Sequence, residues 1–357
     1  MPKIRVLVVD DSVVVRRMMS NILDGDPELE VVGVAANGKI ALAKMSQVNP
    51  DVIILDVAMP EMDGLETLAA IRQRDRHLPV IMFSALTEFG ASATLDSLSL
   101  GATDYVTKPQ NLKSKEAALQ HIQEQLIPKI KVFCAKPNHS QSRQGRITIP
   151  QSLVKPSYLT RNRGKVEIVA IGVSTGGPNA LDTILPKLPA DFPVPIVIVQ
   201  HMPPVFTKRL AERLTQKCQI KVAEGFSSGM VEPGLAWIAP GDFHMVVEQQ
   251  GTRVQIHTHQ EEPENSCRPA VDVLFRSVAK IYGAGTLGVV LTGMGQDGLY
   301  GCKCIREVCG QVIVQDEATS VVWGMPGIVA NSGLANQVIP LPEVASEIMF
   351  RVGIRTC

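Results

Sequence analysis

The N-terminal block contains three carboxylates, one hydroxyl and one ammonium at positions that favour phosphate chemistry. Asp10 and Asp11 follow the first apolar run, Asp56 ends the third, Ser84 ends the fourth, and Lys108 follows the fifth. Ligands of a parallel α/β sheet bind outside the carboxyl ends of its strands, so we expect these side chains to share one rim. Clustered carboxylates need a cation among them, and oxygen ligands suit Mg²⁺. A carboxylate nucleophile, a divalent ion and a fixed cation predict a pocket that accepts a phosphoryl group.

The C-terminal block contains a hydroxyl, an imidazole and a carboxylate at similar positions. Ser174 lies in the glycine-rich turn Gly172–Gly177, between an apolar run and a predicted helix. His201 ends the next run, and Asp297 lies at a later strand–turn–helix junction. Three such groups at the carboxyl ends of strands in one sheet are the inventory of a Ser–His–Asp triad. Their order along the chain differs from the Ser, Asp, His order of the α/β-hydrolases, so that family is not assigned.

Each residue also has a simpler interpretation. A glycine-rich turn before a helix can hold a phosphate instead of presenting a nucleophile. A histidine at a strand end is commonly structural, and an aspartate at a turn is commonly a helix N-cap. The alternative function is therefore a non-catalytic module that binds a phosphorylated ligand or a protein. A DNA-binding output is disfavoured because the C-terminal part has no basic recognition helix.

Short β-branched runs alternate with amphipathic segments in both blocks, which indicates two parallel sheets covered by helices. We expect two doubly wound α/β domains, a flavodoxin-like one and a Rossmann-like one with an antiparallel excursion between Ala236 and His259. The predicted strands are Ile4–Val9, Val31–Ala35, Val52–Leu55, Val80–Phe83 and Tyr105–Thr107, then Val166–Gly172, Ile196–Gln200, Leu287–Thr292, Val312–Gln315 and Val338–Leu341. Within the excursion they are Leu235–Ala239, Met245–Glu248 and Val254–His257.

Charge and composition divide the 357 residues further. Residues 1–124 and 166–357 are mildly acidic, whereas residues 125–165 contain basic residues and no acidic ones. The polar, proline-containing part of this connector is typical of a linker. No apolar run is long enough to cross a bilayer, and seven cysteines without framework spacing favour reduced thiols. We therefore expect a cytoplasmic, monomeric protein that binds no nucleic acid.

The first block resembles the receiver domain of two-component response regulators. The resemblance implies that Asp56 receives phosphate from a chemotaxis histidine kinase. It also implies that Asp10, Asp11, Asp56 and the Ala58 carbonyl bind Mg²⁺, and that Ser84, Tyr105 and Lys108 form the switch. The matching stretches are Val8–Ser12, Leu55–Gly64, Phe83–Ala85 and Gly101–Pro109.

The second block resembles the catalytic domain of the chemotaxis protein-glutamate methylesterase family. The resemblance implies that Ser174, His201 and Asp297 demethylate glutamyl methyl esters on methyl-accepting receptors and deamidate glutamines, with no cofactor. Candidate donors to the oxyanion are the backbone N–H groups of Thr175, Gly176 and Met294. The matching stretches are Ile171–Pro178, Val199–Met202, Ala239–His244, Arg268–Phe275, Leu291–Gly298 and Gln315–Ser320.

The order of the blocks predicts a phosphorylation-controlled enzyme. We expect a receiver domain at 1–127, a basic flexible linker at 128–165 and a catalytic domain at 166–357. Without phosphate the receiver is expected to cover the rim that holds Ser174, and phosphorylation of Asp56 to shift the population towards an open form.

A few other side chains could belong to a site. His244 and Arg268 could line the cleft, although buried hydrogen bonding is the simpler role. His257 and His259 share a strand face, and three cysteines, Cys302, Cys304 and Cys309, are predicted on one helix. Without paired CxxC spacing, these residues do not predict a metal site.

Overall fold

The computed structural model describes residues 2–109, 115–135 and 165–354. The N-terminal domain is a five-stranded parallel sheet in the order β2-β1-β3-β4-β5. The strand order reverses between β1 and β3, which opens a crevice where these two strands end. The strands are β1 (Ile4–Val9), β2 (Leu29–Ala35), β3 (Val52–Asp56), β4 (Val80–Ser84) and β5 (Asp104–Thr107). The helices are α1 (Val13–Asp24), α2 (Gly38–Val48), α3 (Gly64–Arg74), α4 (Glu88–Ser99), α5 (Lys115–Gln125) and α6 (Ile127–Cys134).

Side-chain caps fix where the helices of this domain begin. The Ser12 hydroxyl accepts a hydrogen bond from Val15 N at the start of α1. At the start of α3, Asp63 and Glu66 form a reciprocal capping box. The central strand β3 is buried along its whole length, as its uninterrupted apolar sequence predicts. These constraints hold the ends of β1 and β3, and therefore Asp10 and Asp56, on one rim.

Helix α6 differs from the prediction of a linker that begins at residue 128. Ile127 and Ile130 of this helix are buried in the core on the α1 and α5 side of the sheet. The helix has proline in its first turn, a position that proline tolerates. The receiver block therefore continues to Cys134. The rest of the predicted linker, residues 136–164, lies outside the described residues.

The C-terminal domain is a seven-stranded parallel sheet in the order β14-β13-β12-β6-β7-β9-β8. Its order reverses between β6 and β12, so a second crevice opens where those strands end. The strands are β6 (Ile168–Val173), β7 (Ile196–Gln200), β8 (Lys221–Glu224), β9 (Leu235–Ile238), β10 (His244–Gln250), β11 (Arg253–His259), β12 (Thr286–Val290), β13 (Gln311–Gln315) and β14 (Gln337–Ile339). The helices are α7 (Gly177–Ile184), α8 (Phe206–Lys217), α9 (Val271–Tyr282), α10 (Leu299–Glu307), α11 (Met325–Asn331) and α12 (Leu341–Arg351).

The prediction of two α/β domains with parallel sheets is confirmed, with two differences in detail. Strand β9 belongs to the parallel sheet, where it pairs with β7 and β8, so the antiparallel excursion consists of the β10–β11 hairpin alone. Strand β8 was not predicted, because its short sequence Lys221–Glu224 has charged residues at both ends. Within the described part of the chain, no helix combines the length and apolar character needed to span a membrane.

Candidate active site and candidate phosphorylation site

The turn after β6 presents Ser174 at the rim of the second sheet. Ser174 N donates to Thr292 O at 3.0 Å, and Gly177 N donates to Ser174 O at 2.8 Å. Gly176 has a φ of +78°, a left-handed conformation that lets the chain turn directly into α7. A Cβ on Gly293 would lie 2.8 Å from Ser174 Cβ, so this close approach of the neighbouring loop requires glycine. Backbone hydrogen bonds and the close packing of Gly293 therefore fix the position of the turn that carries Ser174.

His201 and Asp297, which are distant in sequence, meet beside this turn. His201 Nε2 lies 2.8 Å from Asp297 Oδ2, and the carboxylate is buried. Asp297 Oδ2 also accepts from Val271 N at 2.6 Å, and its Oδ1 accepts from Asp272 N at 3.0 Å. These two amides begin α9, whose N-cap residue Ala270 has no side chain that can cap. The carboxylate of Asp297 thus caps α9 from another loop and orients the imidazole at the same time.

The electrostatics of the pair follow from burial and from this hydrogen bond. Burial alone lowers the pKa of His201, but the hydrogen bonds to Asp297 and Cys267 outweigh it and raise the pKa to about 10. Burial alone raises the pKa of Asp297, but the hydrogen bonds from His201 and the α9 amides outweigh it and lower the pKa. Asp297 is therefore ionised at neutral pH and stabilises a protonated imidazole.

Ser174 and His201 line one cavity of about 740 Å³ at the rim. Within the described residues, the hydrogen-bonding partners of the imidazole are Asp297 on Nε2 and Cys267 on Nδ1, the latter at 3.6 Å. The structure therefore joins two of the three predicted triad groups by a direct hydrogen bond. The third, Ser174, shares the cavity with them.

The backbone donors predicted for an oxyanion lie at this cavity. Thr175 and Met294 line it, and Gly176 follows in the same turn. In the described part of the chain, none of the backbone hydrogen bonds of turns and loops is donated by these three N–H groups. The Thr175 carbonyl, by contrast, accepts from the Thr292 hydroxyl at 2.9 Å, which fixes the peptide direction. N–H groups beside a cavity that have no internal backbone acceptor can receive a developing negative charge.

The rim of the first sheet gathers the acidic residues predicted there. Oxygens of Asp10, Asp11 and Asp56 lie within 4.8 Å of one another. Lys108 Nζ lies 2.8 Å from both Asp10 Oδ2 and Asp56 Oδ2. Burial raises the pKa of Asp56 to about 6, although the hydrogen bond and charge of Lys108 oppose this rise. A buried carboxylate held beside a fixed ammonium is suited to accept an electrophilic phosphoryl group.

Three hard carboxylate donors within this small space fit an octahedral Mg²⁺ ion that keeps some of its waters. Ala58, whose carbonyl was a predicted ligand, is exposed two residues after Asp56. The Ser84 side chain is buried, and its hydroxyl donates to Gly90 O at 3.1 Å. The hydroxyl of this predicted switch residue is therefore bonded to the first turn of α4 and not to a group on Asp56.

Tyr105, the second predicted switch residue, contacts the other domain directly. Its ring stacks on Phe206 of α8, with 5.1 Å between ring centroids and an angle of 9° between ring planes. Lys129 of α6 lies over the tyrosine ring at 5.5 Å. Receiver residues Tyr105 and Lys129 also line the cavity that contains Ser174. The N-terminal domain therefore covers part of the rim that holds Ser174.

Charged side chains border this stack. Arg209 of α8 pairs with Glu88 of α4, and Arg213 Nη1 bonds to Asp96 Oδ1 at 2.7 Å. Asn179 Nδ2 of α7 donates to Leu98 O at 2.9 Å. The interface thus has an apolar centre with ion pairs around it, and its acidic partners are largely exposed.

Sequence reasoning missed two residues beside the triad. Asn265 Nδ2 donates to both Asp297 Oδ1 and Asp272 Oδ2, and Cys267 contacts the imidazole. Both lie in the loop just before the Arg268–Phe275 motif. Their position next to this motif was the sequence signal that could have identified them. This loop follows the excursion, and the sequence does not show that it folds back onto the rim.

Other candidate residues have mainly structural contacts. His244 is buried, with Nδ1 accepting from Ala270 N and Nε2 close to Glu262 O, whereas Arg268 lines the cavity and pairs with Asp242. Helix α10 carries Cys302 and Cys304 but ends before Cys309, so the prediction of three cysteines on one helix was wrong.

The fold defines a receiver domain joined to a second α/β domain that carries a serine turn and a His–Asp pair on its rim. The family sequence model described as CheB methylesterase matches residues 169–348, and that of the response regulator receiver domain matches residues 6–120. The chain belongs to the CheB methylesterase family, and both sequence resemblances are confirmed.

Individual relatives extend over both domains. The protein-glutamate methylesterase/protein-glutamine glutaminase of Trichodesmium erythraeum (strain IMS101) is 59% identical, covering 99% of this chain and 100% of the relative. That of Nocardioides sp. (strain ATCC BAA-499 / JS614) is 47% identical over 99% of this chain and 96% of its own length. The crystal structure of the Thermotoga maritima CheB methylesterase catalytic domain is 44% identical with a TM-score of 0.51, covering 52% of this chain and 98% of that one.

Proposed function

We propose that this protein removes methyl groups from glutamyl methyl esters of methyl-accepting chemotaxis receptors and deamidates their glutamines. Relatives at 59% and 47% identity carry both activities in their names. The observation that carries the proposal is the 2.8 Å His201–Asp297 pair beside the Ser174 turn. The test is methanol release from methylated receptors by the phosphorylated protein, which a non-catalytic binding module would not produce.

In the proposed reaction, Ser174 Oγ attacks the side-chain carbonyl carbon of the ester. His201 takes the hydroxyl proton on Nδ1, because Nε2 is engaged by Asp297, and a small ring movement exchanges the Cys267 thiol for the serine hydroxyl. The protonated imidazole then delivers this proton to the leaving methanol. Water hydrolyses the acyl-enzyme by the same route in reverse, and an amide substrate follows the same steps with ammonia as the leaving group.

The charge that develops on the substrate oxygen needs fixed donors. We assign the N–H groups of Thr175, Gly176 and Met294 to this role. They are free of internal backbone acceptors within the described turns, and the start of α7 behind them adds its positive dipole end.

The proposed regulatory reaction transfers a phosphoryl group from a histidine kinase to Asp56. Asp10, Asp11, Asp56 and the Ala58 carbonyl would hold Mg²⁺, which when bound neutralises charge on the phosphoryl oxygens. Lys108 would contact the new phosphoryl group, and Ser84 would leave Gly90 O to bind it. The loss of the Ser84–Gly90 bond would then loosen the start of α4, which packs against the catalytic domain.

Asp56→Asn is expected to abolish phosphoryl incorporation from a small phosphodonor, because an amide is not nucleophilic. Intact-mass spectrometry of the protein after exposure to the donor and Mg²⁺ measures this incorporation. Asp51→Asn, at an exposed position on the opposite end of β3, is the matched control and should incorporate phosphate normally. Incorporation retained in Asp56→Asn and lost in Asp11→Asn would show that the acceptor is wrongly assigned.

The double variant Arg209→Ala/Arg213→Ala is expected to raise the methanol release of the unphosphorylated protein by about two- to thirtyfold. Each exposed ion pair contributes about 0.2–1 kcal/mol, and the loss of both pairs sets the size of the shift towards the open form. Methanol release before and after phosphorylation measures it. Lys208→Ala on the exposed side of the same helix is the control. A double variant with unchanged basal and phosphorylated rates would contradict inhibition through this interface.

We also propose a receiver domain that ends with α6 at Cys134, a basic linker from there to residue 165 and a catalytic domain at 166–357. The six cysteines in the described ranges form no disulfide, and this supports a location in the reducing cytoplasm.

A further inference from the structure

The contact between Cys267 and His201 places a sulfur and a nitrogen ligand at the catalytic centre. Cys267 Sγ lies 3.6 Å from His201 Nδ1, and both side chains line the cavity that contains Ser174. The thiol is only partly buried. The proposed hydrolysis does not use this thiol, so its position beside the general base needs a separate explanation.

The distance between these two atoms suits a tetrahedral metal ion. Zinc binds cysteine sulfur at about 2.3 Å and histidine nitrogen at about 2.0–2.1 Å. Two such bonds at a tetrahedral angle put the nitrogen and the sulfur about 3.6 Å apart. The observed separation of 3.6 Å is therefore the one that two bonds to a shared zinc ion require.

The carboxylate of Asp297 supports the arrangement through its hydrogen bond to His201 Nε2. One of its oxygens lies within 4.8 Å of the Cys267 sulfur and of a ring nitrogen of His201, but both oxygens already accept hydrogen bonds, from His201, Val271, Asp272, Asn265 and Gly298. We therefore do not count Asp297 as a ligand. By holding Nε2–H, it directs the lone pair of the neutral ring to Nδ1, which is the geometry of a carboxylate–histidine–zinc unit.

We propose that Cys267 Sγ and His201 Nδ1 form a binding site for a thiophilic divalent cation, Zn²⁺, and that this ion blocks the hydrolase. A Zn–S and a Zn–N bond form, and water ligands leave the ion until two remain beside the sulfur and the nitrogen in tetrahedral coordination. The thiol proton, and the Nδ1 proton when the ring is charged, pass to solvent. The bound ion occupies the lone pair that must accept the Ser174 proton. Zinc affinity therefore rises with pH, and occupation of the site stops turnover.

The binding test uses the full-length, unphosphorylated protein and zinc alone. Competition with a chromophoric chelator is expected to show one site that Cys267→Ser weakens by about tenfold or more. Cys309→Ser, at an exposed position past the end of α10, is the matched control and should bind like the wild type. Co²⁺ should give a thiolate charge-transfer band in the wild type and in Cys309→Ser only. Equal zinc affinity of the Cys267→Ser variant would overturn the proposal.

A second measurement needs no variant. Zinc should slow the alkylation of Cys267 by iodoacetamide about tenfold or more, measured by peptide mass spectrometry, without slowing that of Cys309. Unprotected Cys267 at saturating zinc would also overturn the site.

The inhibition itself rests on the proposed function, and its readout is separate. Zinc should inhibit methanol release by the wild type, a chelator should restore it, and Cys267→Ser should need about tenfold more zinc. Zinc that binds through Cys267 to a protein without hydrolytic activity would refute the hydrolase and leave the metal site standing. Active wild type and Cys267→Ser proteins with the same zinc sensitivity would refute the metal site and leave the hydrolase standing.

Discussion

Replacement of Ser174 by alanine is expected to reduce methanol release from methylated receptors by about 10⁴-fold or more. In the proposed reaction this hydroxyl forms the covalent intermediate, and without it the oxyanion donors alone would give only a small residual rate. The substitution removes a single partly buried oxygen, while the turn is held by backbone hydrogen bonds, so folding and phosphorylation of the receiver should be unchanged.

The measurement compares phosphorylated wild type and Ser174→Ala on one preparation of methylated receptor. Ser227→Ala, at an exposed position in the loop between β8 and β9 and outside the lining of the Ser174 cavity, is the matched control and should retain the full rate. Release by Ser174→Ala at a rate close to that of the wild type would show that the nucleophile lies elsewhere. Deamidation should fall in parallel, because both reactions pass through the same tetrahedral intermediate.

Much of this site could be predicted, because the sequence shows which residues follow each apolar strand. Uninterrupted apolar runs identify strands buried on both faces, and parallel strands bring their carboxyl ends to one rim. Asp10 and Asp56 meet on this basis, and so do His201 and Asp297, although 96 residues separate the second pair. The glycine requirement at Gly176 follows in the same way from a sharp turn between strand and helix.

The rest depends on how loops fold back over the rim. Asn265 and Cys267 approach Asp297 and His201 from a loop whose sequence has no periodic pattern. Packing alone decides the orientation of the His201 ring, in which Nε2 faces Asp297 and Nδ1 faces the Cys267 thiol. Helix α6 was missed for a related reason, since the basic composition around it outweighed the apolar face that Ile130 buries.

The contact of Tyr105 with Phe206 connects the predicted receiver switch with the cavity that contains Ser174. The same aromatic ring belongs to the predicted receiver switch and to the wall of the catalytic cavity. A change in the environment of Tyr105 therefore reaches the catalytic rim without a chain of intermediate residues. This direct contact favours inhibition by occlusion over inhibition by distortion of the triad, because the His201–Asp297 pair is already formed under the receiver.

Replacement of Asp297 by asparagine is expected to lower kcat by about 10⁴-fold. The amide cannot stabilise the protonated imidazole, and its N–H₂ group would face His201 Nε2 or the α9 amides as a second donor. Because the carboxylate also caps α9 through Val271 N and Asp272 N, the free energy of unfolding should fall by about 1–3 kcal/mol. Steady-state methanol release and urea unfolding measure the two effects, and Asp191→Asn, at an exposed position, is the control.

The pH dependence of the same variant shows whether Asp297 raises the pKa of His201 through its charge or only orients the imidazole ring. His201 acts as a base only when it is neutral, so the rate should rise with pH through its pKa, which Asp297 raises above the ordinary value. In Asp297→Asn the charged ring loses its partner, the pKa of His201 falls, and the acid limb of kcat/KM moves to lower pH. An acid limb that stays in place in this variant would mean that another group raises the pKa of His201. The 2.8 Å pair could then be structural, with Asp297 serving mainly as the cap of α9.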